Sequence, residues 1–311
     1  MSDFSARITP SVLDTQVITG LQGDERIISQ LAQQMATGNN ISRPSDDPVG
    51  AVQTLSIQAA LARAQQYQAN AGDGLTRLGL SNSTLSSAMS QLQKIRTLVV
   101  SVANSVTDST GLTPVATQVS QLESSLVAMA NTTFGGQSIF GGSSGSPVAY
   151  QVTIPSAGPP PVPGSSTYAG SGGAPVRTVA PGISAPAGVA GPFGDGTSST
   201  VDVFKTLNQL VSDLQAGNVS AVTGADATAL DSAMAQVNQA AGQVGASYAQ
   251  MQTLQTQAQT TSQELQVEYS HVQSADLAEV SSNYAQAQTN YQAALYAAAQ
   301  VTKLPSLVSF L

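Results

Sequence analysis

The sequence predicts a mainly α fold: an elongated antiparallel coiled-coil or helix bundle formed by both chain ends, with a small irregular or β-containing middle lobe. Two observations carry this reading. Apolar residues recur every three or four positions through both terminal parts of the 311-residue chain, the spacing that lays one stripe along a helix. Between them lies a stretch rich in Gly, Pro and Ser with no such stripe. Composition agrees. Hydrophobic residues make up 41% of the chain but aromatics only 5%, without Trp, which disfavours a wide core filled by large rings. The predicted division is 1–142 as an N-terminal helical arm, 143–200 as an outward-facing middle lobe, and 201–311 as a C-terminal arm packing on the first.

The elements follow in order. Val17, Leu21, Ile28, Leu31 and Met35 mark a first helix, which Gly38 ends because a left-handed C′ position costs Gly nothing. The turn Arg43-Pro44-Ser45-Asp46-Asp47-Pro48 comes next, with Asp47 as N-cap and Pro48 as first residue of a long second helix. There, Leu78, Ser81, Leu85, Ala88, Leu92, Ile95, Val99, Val102 and Val106 form a coiled-coil seam spanning roughly 40 Å. Gly72, Gly74 and Gly79 precede it, each costing about 1 kcal/mol relative to Ala, so a kink or weak point is expected. A third helix follows Pro114, with Val115, Val119, Leu122, Leu126 and Met129.

Helical character stops at Asn131-Thr132-Thr133, and Phe134 to Gly142 reads as a short strand or hairpin between glycines. From Ser143 to about Thr200 only Val148–Ile154 and Val176–Val179 look β-like. The alternatives are a disordered linker and a small irregular β domain. Helix resumes at Val201 and ends at Gly217. A last helical region runs from about Asp226 to Lys303. Its seam of Leu277, Val280, Tyr284, Ala287, Tyr291, Ala294, Ala298 and Val301 is offset near Asp276 from an upstream one of Met251, Leu254, Ala258, Leu265 and Val272.

A long helix with one apolar stripe must bury it. Both ends carry stripes, so they are expected to pair, with the middle projecting. Charged residues are only 9% of the chain, against roughly 25% in ordinary soluble domains. Gln, Ser, Thr and Asn replace them, a surface suited to subunits packed side by side.

Chemistry is sparse. A net charge of −8 with no basic run argues against nucleic acid. Cys is absent, which removes disulfides, thiolate metal sites and Cys nucleophiles. The one histidine, His271, shares a helix face only with Glu268 and reads as solvated. Asp46-Asp47 lacks the spaced oxygens of a calcium loop and reads as a cap. No phosphate loop, triad or acid–base constellation can be assembled, so neither catalysis nor a cofactor is expected. The N-terminus lacks the pattern of a cleaved signal, and no stretch reaches the ~18 apolar residues of a membrane span. The ending Lys303-Leu304-Pro305-Ser306-Leu307-Val308-Ser309-Phe310-Leu311 is unusually apolar for a free terminus. It is expected to dock, with a partner or chaperone favoured over its own bundle.

Several of these segments line up with one family. Arg7-Ile8-Thr9-Pro10, Met35-Ala36-Thr37-Gly38 and Arg43-Pro44-Ser45-Asp46-Asp47-Pro48 resemble the N-terminal signature of flagellin-like proteins, and among them the hook–filament junction members most. Asn131-Thr132-Thr133 with Ser138-Ile139-Phe140-Gly141-Gly142, Val203 to Leu210, Gln243-Val244-Gly245-Ala246, Ala275 to Val280 and Ser306 to Leu311 are similar to later segments of that family. The resemblance covers about 7–142 and 201–311, and residues 143–200 stand outside it. It implies a structural subunit exported through the flagellar type III apparatus and located extracellularly, at the junction between hook and filament. Its implied partners are further copies in a homo-oligomeric ring, the adjacent hook-associated junction protein, flagellin and a cytoplasmic export chaperone. The assembly residues expected are Arg43, Pro44, Ser45, Asp46, Asp47, Pro48, Leu277, Val280, Tyr284, Tyr291, Leu307, Val308, Phe310 and Leu311. Two other readings compete: flagellin itself, and a secreted coiled-coil protein using the middle lobe to bind a surface. The latter calls for aromatic-rich loops at 143–200, where Tyr150, Tyr168 and Phe193 are the only aromatics.

Overall fold

The computed structural model describes residues 10–104, 112–155, 164–197 and 200–301. It is mainly helical, with long helices from both chain ends packed together and a strand-bearing middle. In order run α1 (Pro10–Thr37), α2 (Pro48–Asn104), α3 (Leu112–Ala130), the short strands β1 (Thr133–Phe134), β2 (Gln137–Ser138), β3 (Tyr150–Thr153), β4 (Ser165–Tyr168), β5 (Val176–Ala180) and β6 (Ile183–Pro186), then α4 (Val203–Ala216), α5 (Val219–Ala221), a π-helical turn (Val222–Asp226), α6 (Ala227–Gln273) and α7 (Leu277–Val301). The chain forms two compact units: residues up to Ala62 together with those from Gln263 onward, and Arg63–Ser262.

In the 63–262 unit the predicted seam of α2 is the core. Leu78, Ser81, Leu85, Ala88, Leu92, Ile95, Val99 and Val102 are all buried; Val106 lies outside the described residues. They pack with Leu230, Ala233, Val237 and Val244 of α6. The two helices are antiparallel: Gly74 faces Met251, Gly79 faces Tyr248, and Arg96 pairs with Asp231. Where a kink or weak point is expected, α2 keeps its helix without a break through Gly72, Gly74 and Gly79. Gly74 instead permits close packing, because a Cβ there would stand 2.7 Å from Met251 Cε.

Helix α3 starts before Pro114, not after it, and Pro is tolerated because first-turn N–H groups have no intrahelical acceptor. Its buried face is Leu112, Ala116, Val119, Glu123, Leu126 and Ala130; the predicted stripe lies in the core, Val119 and Leu126 fully buried and Val115, Leu122 and Met129 half-buried against it, and a carboxylate enters with them. Both Glu123 oxygens are buried without a hydrogen-bond partner, and burial pushes its pKa up to about 8.

The middle is β-structured where described. Gly135 and Gly136, both with positive φ, make the tight turn between β1 and β2. Strands β3–β4 and β5–β6 are further antiparallel hairpins, the latter with an irregularity between Thr178 and Ala180. The sequence offers no stripe here, yet Tyr150, Val179, Ala185 and Phe193 bury themselves in the same core as α2, α3, α4 and α6. Rings do the anchoring: Tyr150 lies 5.7 Å from Phe193 and 5.3 Å from Phe204 between centroids. The Asn131 side chain stitches the end of α3 to β3, accepting from the Ala149 and Tyr150 amides and donating to the Tyr150 carbonyl. Arg77, 4% exposed, donates to the carbonyls of Ser138 and Ile139.

In the other unit α1 and α7 run antiparallel. Val280 is buried at 7% exposure, while Tyr284, Ala287, Tyr291, Ala294 and Ala298 are half-buried. Leu277, predicted in the same seam, is corrected: it is 54% exposed, one turn before the stripe closes. The offset near Asp276 is a helix break. Helix α6 stops at Gln273, and the Asp276 carboxylate caps α7 by accepting from the Ala278 amide at 2.9 Å.

Candidate functional site

The two helix breaks of the terminal unit, at 38–47 and 274–276, lie side by side. Asn39 and Ser274 form an antiparallel bridge. The Asn40 amide donates to the Gln273 carbonyl at 2.7 Å, and the Ala275 amide to the Gly38 carbonyl at 2.9 Å. Two glutamines complete the stitch: Gln34 Nε2 donates to the Asn40 carbonyl and Gln273 Nε2 to that of Ile41. Backbone groups freed where four helices end are thereby satisfied across the two strands. Just beyond, Gln58 Nε2 donates to Tyr269 Oη.

Downstream of the joint the predicted turn is built by its own carboxylates. The Arg43 amide donates to Asp46 Oδ2 at 2.9 Å, closing a tight turn. Asp47 Oδ1 accepts from the amides of Val49 and Gly50, so Asp47 is the N-cap and Pro48 occupies N1. Ile41 packs beneath, close to Gly50. Arg43, Pro44, Ser45, Asp46, Asp47 and Pro48 are all exposed. Of the C-terminal assembly candidates, Val280 is buried and Tyr284 and Tyr291 are half-buried on the stripe facing α1. Leu277 is exposed beside the joint, and Leu307, Val308, Phe310 and Leu311 lie outside the described residues.

The feature that sequence reasoning missed is the outer surface of this unit. Val49, Val52 and Leu55, spaced by three on the start of α2, are 78%, 68% and 64% exposed. Ile18, Ile27 and Met35 on α1, Val267 on α6, and Leu295 and Tyr296 on α7 are exposed too. Ten of the fifteen exposed large hydrophobics among the described residues fall in this unit, which holds only about a third of those residues. No charge interrupts residues 48–62 or 280–301. The signal was legible as two uncharged runs with apolar residues on more than one face. Exposed apolar surface of this extent marks protein association rather than a finished monomer surface.

Little else has the geometry of a chemical site. His271 is exposed in the last turn of α6. Among the described residues no group of three or more His, Cys, Asp or Glu side chains could hold a metal ion, and no helix is long and apolar enough to cross a membrane. Tyr150 and Tyr168 are held protonated by burial, Tyr168 pushed up to about 12, and both serve packing: Tyr168 Oη donates to the Phe140 carbonyl at 2.9 Å.

Terminal helices paired antiparallel around a hydrogen-bonded joint, with exposed apolar residues along two uncharged runs, define a helical assembly protein. The N-terminal helical region of bacterial flagellin matches residues 12–145, and its C-terminal helical region matches 227–311. This chain belongs to the bacterial flagellin family. Flagellar hook-associated protein 3 of Salmonella typhimurium is 28% identical over 137 residues, 44% of this chain and 43% of that protein. A flagellin of Clostridium tyrobutyricum is 24% identical over 137 residues, 44% of this chain and 36% of its own. The aligned part thus spans less than half the length of these relatives. A solved structure of a flagellar hook-associated protein from Vibrio parahaemolyticus shares the fold with a TM-score of 0.63 at 19% identity, over 74% of this chain and all of that one.

Proposed function

We propose that the chain is a structural subunit of the bacterial flagellum, forming the junction between hook and filament by helix-bundle self-assembly. The observation that carries this reading is the apolar surface left exposed on the terminal unit, above all along the uncharged runs 48–62 of α2 and 280–301 of α7. A stable monomer would cover or charge such a surface; a subunit destined for neighbours leaves it free. The likeness to a hook-associated protein 3 supports the junction rather than the filament. Residues 1–142 and 201–311 then act as the two assembling arms, and 143–200 as the outward-facing segment. The role is structural and not catalytic. Its partners are further copies in a homo-oligomeric ring, the adjacent hook-associated junction protein, flagellin and a cytoplasmic export chaperone. Its location is extracellular, as a component of the flagellum.

Flagellin remains the second reading, favoured by the match to a flagellin over an equal length at lower identity. The surface-binding reading loses its support, because Tyr150 and Phe193 are buried and Tyr168 is half-buried in the core. Deleting the gene separates the first two. Intact hooks, no filaments and flagellin shed into the medium are expected; disappearance of the bulk filament protein itself would establish flagellin instead.

A further inference from the structure

The joint of the terminal unit is fastened by side chains as well as by backbone. Its ladder is minimal: the Asn40 amide on the Gln273 carbonyl and the Ala275 amide on that of Gly38, around the bridged pair Asn39 and Ser274. So short a strand pair is marginal by itself. Two glutamines reinforce it. Gln34, one turn before the end of α1 and only 8% exposed, donates from Nε2 to the Asn40 carbonyl at 2.8 Å and to Asn40 Oδ1 at 3.2 Å. Gln273, the last residue of α6, donates from Nε2 to the Ile41 carbonyl at 3.0 Å. Ile41 is itself buried at the start of α2, where a Cβ on Gly50 would stand 2.6 Å from Ile41 Cδ1.

Helices α1 and α7 leave this joint side by side, and their contact specifies register weakly. Ala287, Ala294 and Ala298 make up much of the α7 stripe, in a helix rich in Ala throughout. Small, uniform side chains interdigitate shallowly, so neighbouring registers differ little in packing energy. A polar group bonded in one register only discriminates sharply, because slippage strands it or its partner. Sliding 38–41 past 273–275 by one residue would break the Gln273 bond to Ile41 and turn the bridged pair to opposite faces. Gln34 acts from the other side, holding Asn40 where its amide reaches Gln273.

We infer that Gln34 and Gln273 are positioning residues of the assembly surface, locking the two arms in one register at the joint. The lock fixes the relative heights of Ile18 and Ile27 on α1 and of Leu295 and Tyr296 on α7, exposed side chains that a neighbouring subunit would meet. Their bearing on a neighbour rests on the proposed function, whereas the lock belongs to the monomer.

Gln34→Met with Gln273→Met keeps the reach of both side chains and removes both donors. In the full chain, hydrogen exchange at the Asn40 and Ala275 amides should quicken about tenfold, with exchange near Leu92 unchanged and the thermal midpoint within a few degrees. In a gene-deletion strain this variant should restore few filaments. Because the chain has no Cys, the register can then be reimposed by Asn39→Cys with Ser274→Cys. These two form a non-hydrogen-bonded antiparallel pair, with Cα atoms about 4.5 Å apart, within disulfide range. Oxidised outside the cell in the Met background, the disulfide should return both slow exchange and filaments. Unchanged exchange at Asn40 and Ala275 in the Met variant would overturn the lock. Quickened exchange with filaments at the level given by the wild-type gene would overturn the positioning role and leave the proposed function standing. Filaments lost and not recovered by the disulfide would overturn it too, making the amides themselves the contact. Normal filaments in the deletion strain would sink the proposed function and the positioning role with it, while exchange still decides the lock.

Discussion

Glu123 concentrates the cost of polarity in this core. Helical phase on α3 places it between Val119 and Leu126, where its two carboxylate oxygens are buried and meet no donor. Raised from 4.5 to about 8, the group binds its proton more tightly folded than unfolded. It therefore contributes no penalty below pH 4.5 and a growing one as pH rises to about 8. Replacement by Met, of similar volume, removes an unsatisfied buried group worth on the order of 1–3 kcal/mol. Urea unfolding of Glu123→Met is expected to show higher stability at pH 8 than wild type, and a smaller drop between pH 5 and pH 8. A variant no more stable at pH 8 would mean that the carboxyl finds partners in solution. Arg77 is the contrasting case, a buried cation whose guanidinium bridges two carbonyls of the β2 region.

At the scale of elements, the ends of helices carry more of the design than their middles. Helix α2 begins where Asp47 accepts two amides and Pro48 needs none; α7 begins in the same way at Asp276. Asp47→Ala should cost about 0.5–2 kcal/mol, expressed as fraying of the first turn of α2, with hydrogen exchange at Val49, Gly50 and Ala51 quickened and that near Leu92 unchanged. Exchange quickened uniformly along α2 would show that the cap holds the whole helix and not its first turn. The paired breaks at 38–47 and 274–276 satisfy each other's backbone, so neither is an independent loop. A break in one arm requires its counterpart in the other.

At the scale of the molecule, the two units divide the apolar residues differently. The 63–262 unit closes over Leu78, Leu92, Phe140, Phe193 and Leu210, whereas the terminal unit buries Ile41, Ile57 and Val280 but leaves Val49, Val52, Leu55, Ile18 and Ile27 outside. On the proposed function, stability of the monomer and capacity to assemble reside in different residues. Replacing Val49, Val52 and Leu55 together by Ser should leave the thermal unfolding midpoint of the monomer within a few degrees of wild type, since exposed substitutions move stability by only about ±0.5 kcal/mol each. The same variant should fail to restore filaments in a deletion strain. Full restoration of motility would remove this row from the assembly surface.

Periodicity alone determined the mainly helical class, the α2 seam, the cap at Asp47 and the pairing of the two ends. Those features rest on local spacing and local hydrogen bonds, which a linear chain displays directly. The stripe of α3 packs where its spacing predicts, but the burial of Glu123 beside it is invisible to a hydrophobic count. The middle looked coreless because its few rings, Tyr150, Tyr168 and Phe193, are scattered in the chain and gather only against Phe140 and Phe204 in space. Gly74 looked like a weakness until Met251 was found opposite it. Which apolar residues stay uncovered depends on contacts between segments distant along the chain. Tertiary packing alone decides those, because burial belongs to the surface a residue meets and not to the residue.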